Sequence, residues 1–153
     1  MSRRPVEVSV TAHSNAPPSA VYAVAADSEN YPRWSRIGSF EHARDGEAGR
    51  YGVGSRRIYR TWPLKLLEEV VELIPERRVG YILISGLPFD GYHANIDLTP
   101  ADDGGTIIRW SNRFVVTWPM ARGFFAAFMR GVFAEMAPQL AHEAERIETS
   151  RAP

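Results

Sequence analysis

The sequence contains no cysteine among its 153 residues, which excludes disulfide bonds, thiolate nucleophiles and every zinc site built on cysteine. It also lacks net charge, because 18 lysines and arginines balance 18 aspartates and glutamates. A neutral chain has no general electrostatic attraction to nucleic acid or to an anionic membrane. We therefore expect no nucleic-acid partner.

Motifs for metal and nucleotide chemistry are also missing. The four histidines lie on different predicted elements, and no close pair has the spacing of metal ligands. There is no P-loop and no G-x-S-x-G nucleophile elbow, and the GVGS segment at 52–55 lacks the rest of a dinucleotide-binding fingerprint. We therefore expect neither a metal nor another cofactor.

No stretch is apolar for long enough to predict a transmembrane helix, which needs about 20 apolar residues. The most apolar segment, FFAAFMRGVFAEM at 124–136, is interrupted by Arg130 and Glu135. At helical spacing its phenylalanines and methionines share one broad stripe, which predicts an amphipathic helix and no stable membrane insertion. The N-terminal MSRRPVEVSV has no apolar run typical of a signal peptide, so the expected location is cytoplasmic.

The hydrophobic periodicity predicts one α+β domain over residues 1–153. A strand is expected at 6–13, two short helical segments follow within 17–34, and a long helix starts near Pro119 and runs toward Arg151, with a bend or local break at Pro138. Six further strands are expected between these helices, at 37–44, 53–62, 64–74, 78–85, 91–100 and 106–116. Sequential strands imply an antiparallel sheet, and the long helix must cover its apolar face.

Six segments follow one another in a characteristic order: VYAVAAD (21–27), YPRWS (31–35), GVGSRR (52–57), VVELIPERRVGY (70–81), LTPADDGGTIIRW (98–110) and the long final helix. Their order and spacing resemble those of the helix-grip superfamily known as SRPBCC. The superfamily includes START lipid-transfer domains and bacterial polyketide cyclase/dehydratase-like proteins, and the resemblance is strongest to the latter. It implies a curved seven-stranded sheet that grips the helix around an internal hydrophobic cavity for lipids, sterols or polyketides.

Strand alternation assigns side chains to the inner face of the sheet. Parity remains open for the strands at 53–62 and 78–85, and charge pairing across strands favours an inward Arg57 and Tyr59. The predicted ligand contacts, from the sheet, the second short helical segment and the long helix, are Trp34, Leu67, Val71, Leu73, Tyr81, Tyr92, Ile96, Trp110, Phe114, Phe124, Phe125, Phe128 and Met129.

Two polar residues stand on faces that are otherwise apolar, Asn112 between Trp110 and Phe114, and Glu69 between Leu67 and Val71. A buried polar group needs a partner, which is a side chain, a water or a ligand. For Asn112, and for Glu69 equally, the alternatives are a structural hydrogen bond or a strand parity that is off by one residue.

These residues form the predicted catalytic set. Glu69 would move a proton, while Arg57 or Tyr59 stabilises an enolate oxygen and Asn112 contacts the ligand. In aromatase/cyclases a polar residue and an arginine project from the strand that matches 64–74. The corresponding positions here are Val71 and Leu73, a departure from that pattern.

Two functions remain open at this point. The first is a cofactor-independent polyketide cyclase, aromatase or dehydratase that closes a ring by aldol chemistry and removes water. The alternative is a non-catalytic carrier of a lipid-like or aromatic ligand. Either protein would bind a hydrophobic small molecule and could be a monomer or a homodimer.

Overall fold

The computed structural model describes residues 4–151, so the outermost residues of the predicted 1–153 domain lie outside the described part. Seven strands form one antiparallel sheet in the order β1-β7-β6-β5-β4-β3-β2. The strands are β1 (Val6–Ser14), β2 (Ser39–Arg44), β3 (Arg56–Thr61), β4 (Leu64–Ile74), β5 (Arg78–Ser85), β6 (Phe89–Pro100) and β7 (Thr106–Val116). The helices are α1 (Pro18–Ala25), α2 (Tyr31–Trp34) and α3 (Arg122–Arg151), with 3-10 turns at Ser28–Asn30 and Pro119–Ala121.

The predicted helix-grip architecture is confirmed, since a curved seven-stranded sheet packs against the 30-residue helix α3. Strands β4, β5 and β7 have the predicted bounds. Strand β3 begins three residues later than expected, because the chain turns at Gly54, whose φ of 90° is a left-handed conformation suited to glycine.

The core lies where the inner face of the sheet meets α3. Along β7, the burial of alternate residues places Trp110 and Phe114 in this core. Trp110 stacks on Phe133 of α3, with ring centroids 5.4 Å apart. Burying a side chain of this size stabilises the folded state by about 1.5–3 kcal/mol. Contacts of this kind therefore hold α3 against the sheet.

Helix α3 continues through Pro138, so of the predicted bend or local break the break does not occur. Proline has no N–H to donate to the carbonyl of Ala134, four residues earlier. Both residues are exposed, so water can satisfy that carbonyl. No helix in the described residues is long and apolar enough to cross a membrane.

Three connections lie at the same end of the sheet because neighbouring strands are antiparallel. They are the β3–β4 turn at 62–63, the β5–β6 turn at 86–88, and the segment at 117–121 that leads into α3. Thr117 ties the last two together, since its backbone N–H and its hydroxyl donate to the carbonyl of Pro88 at 2.8 and 2.9 Å.

Candidate functional site

A cavity of about 360 Å³ lies between the inner face of the sheet and α3. This size falls in the range of small-molecule sites. Its wall is formed by Arg57 and Tyr59 of β3, Leu64, Leu66 and Glu68 of β4, Tyr81 and Leu83 of β5, Tyr92 of β6, Trp110 of β7, and Phe128, Met129, Val132, Phe133 and Met136 of α3. The wall is therefore mostly apolar, with a few polar groups on the strands.

The most polar part of the wall is a buried ion pair between Arg57 and Glu68, which are 2% and 8% exposed. The two residues face each other directly across the β3–β4 pairing. The Nε of Arg57 donates to Oε1 of Glu68 at 3.0 Å, and Nη2 lies 3.0 Å from the same oxygen. The pair carries no net charge, since each ion neutralises the other.

Three tyrosines and a serine hold the guanidinium of Arg57 in place. Its Nη1 donates to the hydroxyl of Ser28 at 2.9 Å. Its carbon Cζ lies 5.0 to 5.1 Å from the ring centroids of Tyr31, Tyr59 and Tyr81, within the range of cation–π contacts. The Tyr59 hydroxyl is occupied, because it donates to the carbonyl of Ser28 at 2.8 Å. Arg57 is thus fixed by several contacts that do not involve a ligand.

Burial shifts the pKa values of these groups. Burial raises the pKa of Glu68 above its usual 4.5, although Arg57 opposes the rise. Burial also raises the pKa of Tyr31 to about 12, and that of Tyr59 well above 10. Burial by itself would lower the pKa of Arg57, but Tyr59 and Glu68 outweigh that effect and the net pKa is raised. The tyrosines therefore stay neutral donors at physiological pH, and Glu68 is the buried carboxyl of the cavity.

The hydroxyls of Tyr81 and Tyr92 lie in the cavity wall, and each accepts a hydrogen bond from a neighbouring side chain. Tyr81 accepts from Nε1 of Trp110 at 3.0 Å, and Tyr92 accepts from Nδ2 of Asn112 at 3.2 Å. Burial raises the pKa of Tyr92, and the hydrogen bond from Asn112 opposes that rise. No described residue accepts the proton of either hydroxyl. These protons are available to a ligand.

The carboxylate of Glu68 provides a hydrogen-bond acceptor in the same cavity as these hydroxyl donors. Both contacts from Arg57 go to Oε1 of Glu68, and no described residue donates to Oε2. Glu68 and the two tyrosines Tyr81 and Tyr92 all line the same cavity. The site can therefore donate one hydrogen bond and accept another from a single oxygen-bearing group.

The predicted inward position of Glu69 is wrong. Its carboxylate lies on the opposite face of the sheet, 2.8 Å from Nε of Arg56 and 2.9 Å from Nη2 of Arg44. Its neighbour Glu68 faces the cavity instead. The segment LLEEVVELI repeats residue types in pairs, so either parity gives an apolar face, and shifts in the β4–β5 register at 67/68 and 70/72 disturb the alternation further.

The other predicted site residues, catalytic and ligand-binding, lie in different parts of the molecule. Seven predicted residues line the cavity: Arg57, Tyr59, Tyr81, Tyr92, Trp110, Phe128 and Met129. Others pack in or against the core away from it, namely Leu73, Ile96, Phe114 and Phe125. Leu67 and Val71 alternate in step with Glu69, so they lie on the same face of β4 as Glu69 and do not line the cavity. Trp34 lines a smaller cleft beside α1, and Phe124 is 67% exposed.

Asn112 is buried behind Tyr92 and does not line the cavity. It reaches the site only through its hydrogen bond to the Tyr92 hydroxyl. Its Oδ1 has no hydrogen-bond partner among the described residues. Asn112 therefore positions a cavity group, and the predicted contact with the ligand is not made by the side chain itself.

Sequence reasoning missed Glu68, Tyr31 and Ser28. The signal for Glu68 was present, because β3 and β4 are joined by a two-residue turn at 62–63, and this register places Arg57 opposite Glu68. Ser28 and Tyr31 come from the helical segment between α1 and β2, which alternation does not describe. In residues 4–151 no group of three histidines, aspartates or glutamates could hold a metal ion.

The cavity opens at the end of the sheet that carries the β3–β4 turn. Trp62 and Pro63 of this turn, Leu87 of the β5–β6 turn and Ile37 lie along the opening. An ion pair between Arg36 and Glu135 of α3 crosses the same region. Solvent therefore reaches the cavity between the strand turns and the middle of α3.

A family profile described as polyketide cyclase / dehydrase and lipid transport matches residues 5–148. No curated protein gives a significant match. The whole sheet and α3 as far as residue 148 lie within the matched segment. The match therefore covers every element that forms the cavity.

Solved structures share the fold at low sequence identity. An aromatase/cyclase named Zhui, from Streptomyces sp. R1128, has a TM-score of 0.77 at 18% identity, covering 94% of this chain and 95% of that one. A START superfamily protein from Mycobacterium smegmatis has a TM-score of 0.79 at 16% identity, with 93% and 99% covered. Norcoclaurine synthase from Thalictrum flavum, in complex with dopamine and hydroxybenzaldehyde, has a TM-score of 0.77 at 15% identity, with 99% and 91% covered. At these identities the likeness shows the fold alone.

Proposed function

The chain belongs to the polyketide cyclase / dehydrase and lipid transport family, and we propose that its cavity binds a hydrophobic molecule through an uncharged oxygen-bearing group. We further propose that Glu68 and a tyrosine hydroxyl perform cyclase- or dehydratase-type proton transfer on that group. The observation that carries the proposal is the pairing of a free hydroxyl proton with a free carboxylate oxygen on an apolar wall.

The charge of the site supports an uncharged ligand. Arg57 and Glu68 already neutralise each other, and Arg57 is occupied by Glu68 and Ser28. A ligand carboxylate would bury a second negative charge without a free cation beside it, which is strongly unfavourable. A ketone, enol or phenol meets no such penalty, because its oxygen accepts from the tyrosine, and the hydroxyl of an enol or phenol can also donate to Glu68.

The same arrangement suits proton transfer next to a carbonyl. Glu68 removes a proton from the carbon beside the carbonyl, and the tyrosine hydroxyl stabilises the enolate oxygen. The enolate carbon then attacks a second carbonyl of the same molecule, and the new alkoxide takes the proton back from Glu68. In the dehydration, Glu68 removes another proton from the adjacent carbon while hydroxide departs as water with the proton of the tyrosine hydroxyl. The tyrosinate then takes the proton from Glu68, which restores both groups. The raised pKa of Glu68 brings it closer to neutrality, where a general base is most effective.

The first half of this chemistry can be tested without the natural substrate. We would bind 6-hydroxy-2-acetonaphthone, an aromatic methyl ketone, in deuterated buffer and follow deuterium uptake at the acetyl methyl group by proton NMR. Wild-type protein should accelerate the exchange, and Glu68→Gln should abolish the acceleration. Tyr92→Phe should reduce it, since the cavity wall loses one of its tyrosine hydroxyl donors.

Glu69→Gln is the matched control, because it removes the neighbouring carboxylate on the outer face of β4. This variant should exchange at the wild-type rate. Unchanged exchange in Glu68→Gln would refute the role of Glu68. Equal loss in both variants would show that the effect comes from the fold.

The second candidate function is a carrier without catalysis. It is favoured by the open mouth of the cavity and by the apolar residues exposed there, such as Trp62. A carrier would bind the ketone both as wild type and as the Glu68→Gln variant, and in both cases it would leave the methyl protons unexchanged. The exchange experiment therefore separates the two functions.

A further inference from the structure

The end of the molecule at which the cavity opens carries four strongly exposed apolar side chains. Trp62, Trp118, Met120 and Phe124 are 93%, 70%, 101% and 67% exposed. We refer to these four residues as the apolar rim. Large exposed apolar side chains that cluster in one region mark an interaction surface.

The apolar rim is continuous with the cavity. Trp62 itself lines the cavity, and the ring of Phe124 lies 6.4 Å from that of Phe128, which also lines it. Trp118 and Met120 belong to the connection into α3, which Thr117 ties to the β5–β6 turn. The rim therefore lies at the end of the sheet through which a ligand enters the cavity.

We propose that the apolar rim docks on the surface of a phospholipid bilayer, where the cavity exchanges its ligand with the membrane. The inference rests on the proposed function in one respect, namely that the ligand is hydrophobic. Such a ligand can pass from the bilayer into the cavity without crossing water. No helix of the described residues spans a bilayer, so the contact is made with the surface.

The chemistry of the rim fits a bilayer better than a protein partner. Tryptophan side chains favour the boundary between headgroups and acyl chains, because their rings are apolar and carry one polar N–H. Lys65 and Arg122 flank the rim, and no carboxylate of the described residues pairs with either. These cations can contact anionic headgroups, although the whole chain has no net charge.

The test is flotation of the full-length protein with vesicles of phosphatidylcholine and phosphatidylglycerol in a 3:1 ratio. The rim variant carries Trp118→Ser and Met120→Ser, two exposed residues that do not line the cavity. The matched control carries Ile74→Ser and Ile107→Ser, which are 42% and 41% exposed at the opposite end of the sheet. We expect wild type to float, the rim variant to lose at least tenfold in partitioning, and the control to stay within twofold of wild type.

Three results would overturn the proposal: wild type that does not float, a rim variant that floats like wild type, or a control that loses as much as the rim variant. Size-exclusion chromatography provides a further arm, because a dimer that the rim variant converts to monomer would show that a second copy covers the rim. Binding of 6-hydroxy-2-acetonaphthone is measured separately in solution without vesicles. Failure there would refute the proposed function, whereas flotation alone decides the membrane contact.

Discussion

Replacing Arg57 by methionine should destabilise the fold strongly, because it leaves the carboxylate of Glu68 buried without its cation. Glu68 is 8% exposed, and Arg57 is its only donor among the described residues. Removing one partner of a buried ion pair costs about 3–5 kcal/mol. A domain with a typical stability of about 5–15 kcal/mol would lose a large part of it. Arg57 lowers the pKa of Glu68 in the wild type, so the pKa of Glu68 should be higher in the variant. The carboxyl is then more often protonated and neutral at pH 5 than at pH 8, and the loss of stability should be smaller at pH 5.

The double variant Arg57→Met, Glu68→Met should recover most of this loss. Replacing both ions of a buried pair by apolar side chains is close to neutral or stabilising. We expect the double variant to lie within about 1–2 kcal/mol of wild type, by the same comparison with replaced buried pairs. It should nevertheless fail to accelerate deuterium exchange, because the acceptor of the site is gone. This outcome would show that the pair serves function more than stability.

The assay is urea denaturation at both pH values, with Arg56→Met as matched control. Arg56 contacts Glu69 on the outer face, and their side chains are 36% and 19% exposed. A pair of this kind contributes about 0–1 kcal/mol, so the control should be nearly as stable as wild type. A double variant less stable than Arg57→Met alone would refute the claim that Glu68 needs a buried cation. An Arg57→Met variant as stable as the Arg56→Met control would refute it as well.

The same site supports three further predictions. Burial raises the pKa of Glu68 in the folded state above 4.5, so its contribution to stability is complete below the unfolded pKa and is lost as the pH rises through the folded pKa. The free energy of unfolding of wild type, relative to Glu68→Gln, should therefore fall between pH 4 and 7 in urea titrations; a difference independent of pH would contradict this. Leu66→Trp should fill part of the cavity and weaken binding of 6-hydroxy-2-acetonaphthone at least tenfold, with little change in melting temperature; unchanged affinity in fluorescence titrations would count against the cavity as the site. Asn112→Leu should slow deuterium exchange several-fold while stability stays equal or rises by about 1 kcal/mol, because the unsatisfied buried Oδ1 is removed; a large loss of stability in denaturation would instead assign Asn112 a structural role.

The fold could be predicted because its determinants are local. The short apolar run in 78–85 and the alternation in 106–116 predict strands with the observed bounds, and the glycine and proline positions mark the turns between them. The single long amphipathic helix leaves one way to cover the sheet. The resemblance to the helix-grip superfamily rested on the same order of elements.

The site could be predicted only in part. Which side chains of a strand face the cavity is decided by contacts between strands, and the sequence of one strand does not show these contacts. In β4 both Glu68 and Glu69 have apolar neighbours in the sequence, and only the position of Arg57 across the strand pair makes Glu68 tolerable inside. Phe124 was expected on the inner stripe of α3. It lies about 140° around the helix axis from the buried Met129 at 100° per residue, which leaves it exposed beside the mouth of the cavity.

The most direct measurement of the central claim compares two ligands that share a naphthol skeleton and differ in charge. One is 6-hydroxy-2-acetonaphthone, a neutral ketone, and the other is 6-hydroxy-2-naphthoic acid, a carboxylate at pH 7.5. We would titrate each into the protein by calorimetry, with Leu66→Trp to show that binding occurs in the cavity. The neutral Arg57–Glu68 pair predicts that the ketone binds at least tenfold more tightly than the acid. Equal or tighter binding of the acid would contradict the account.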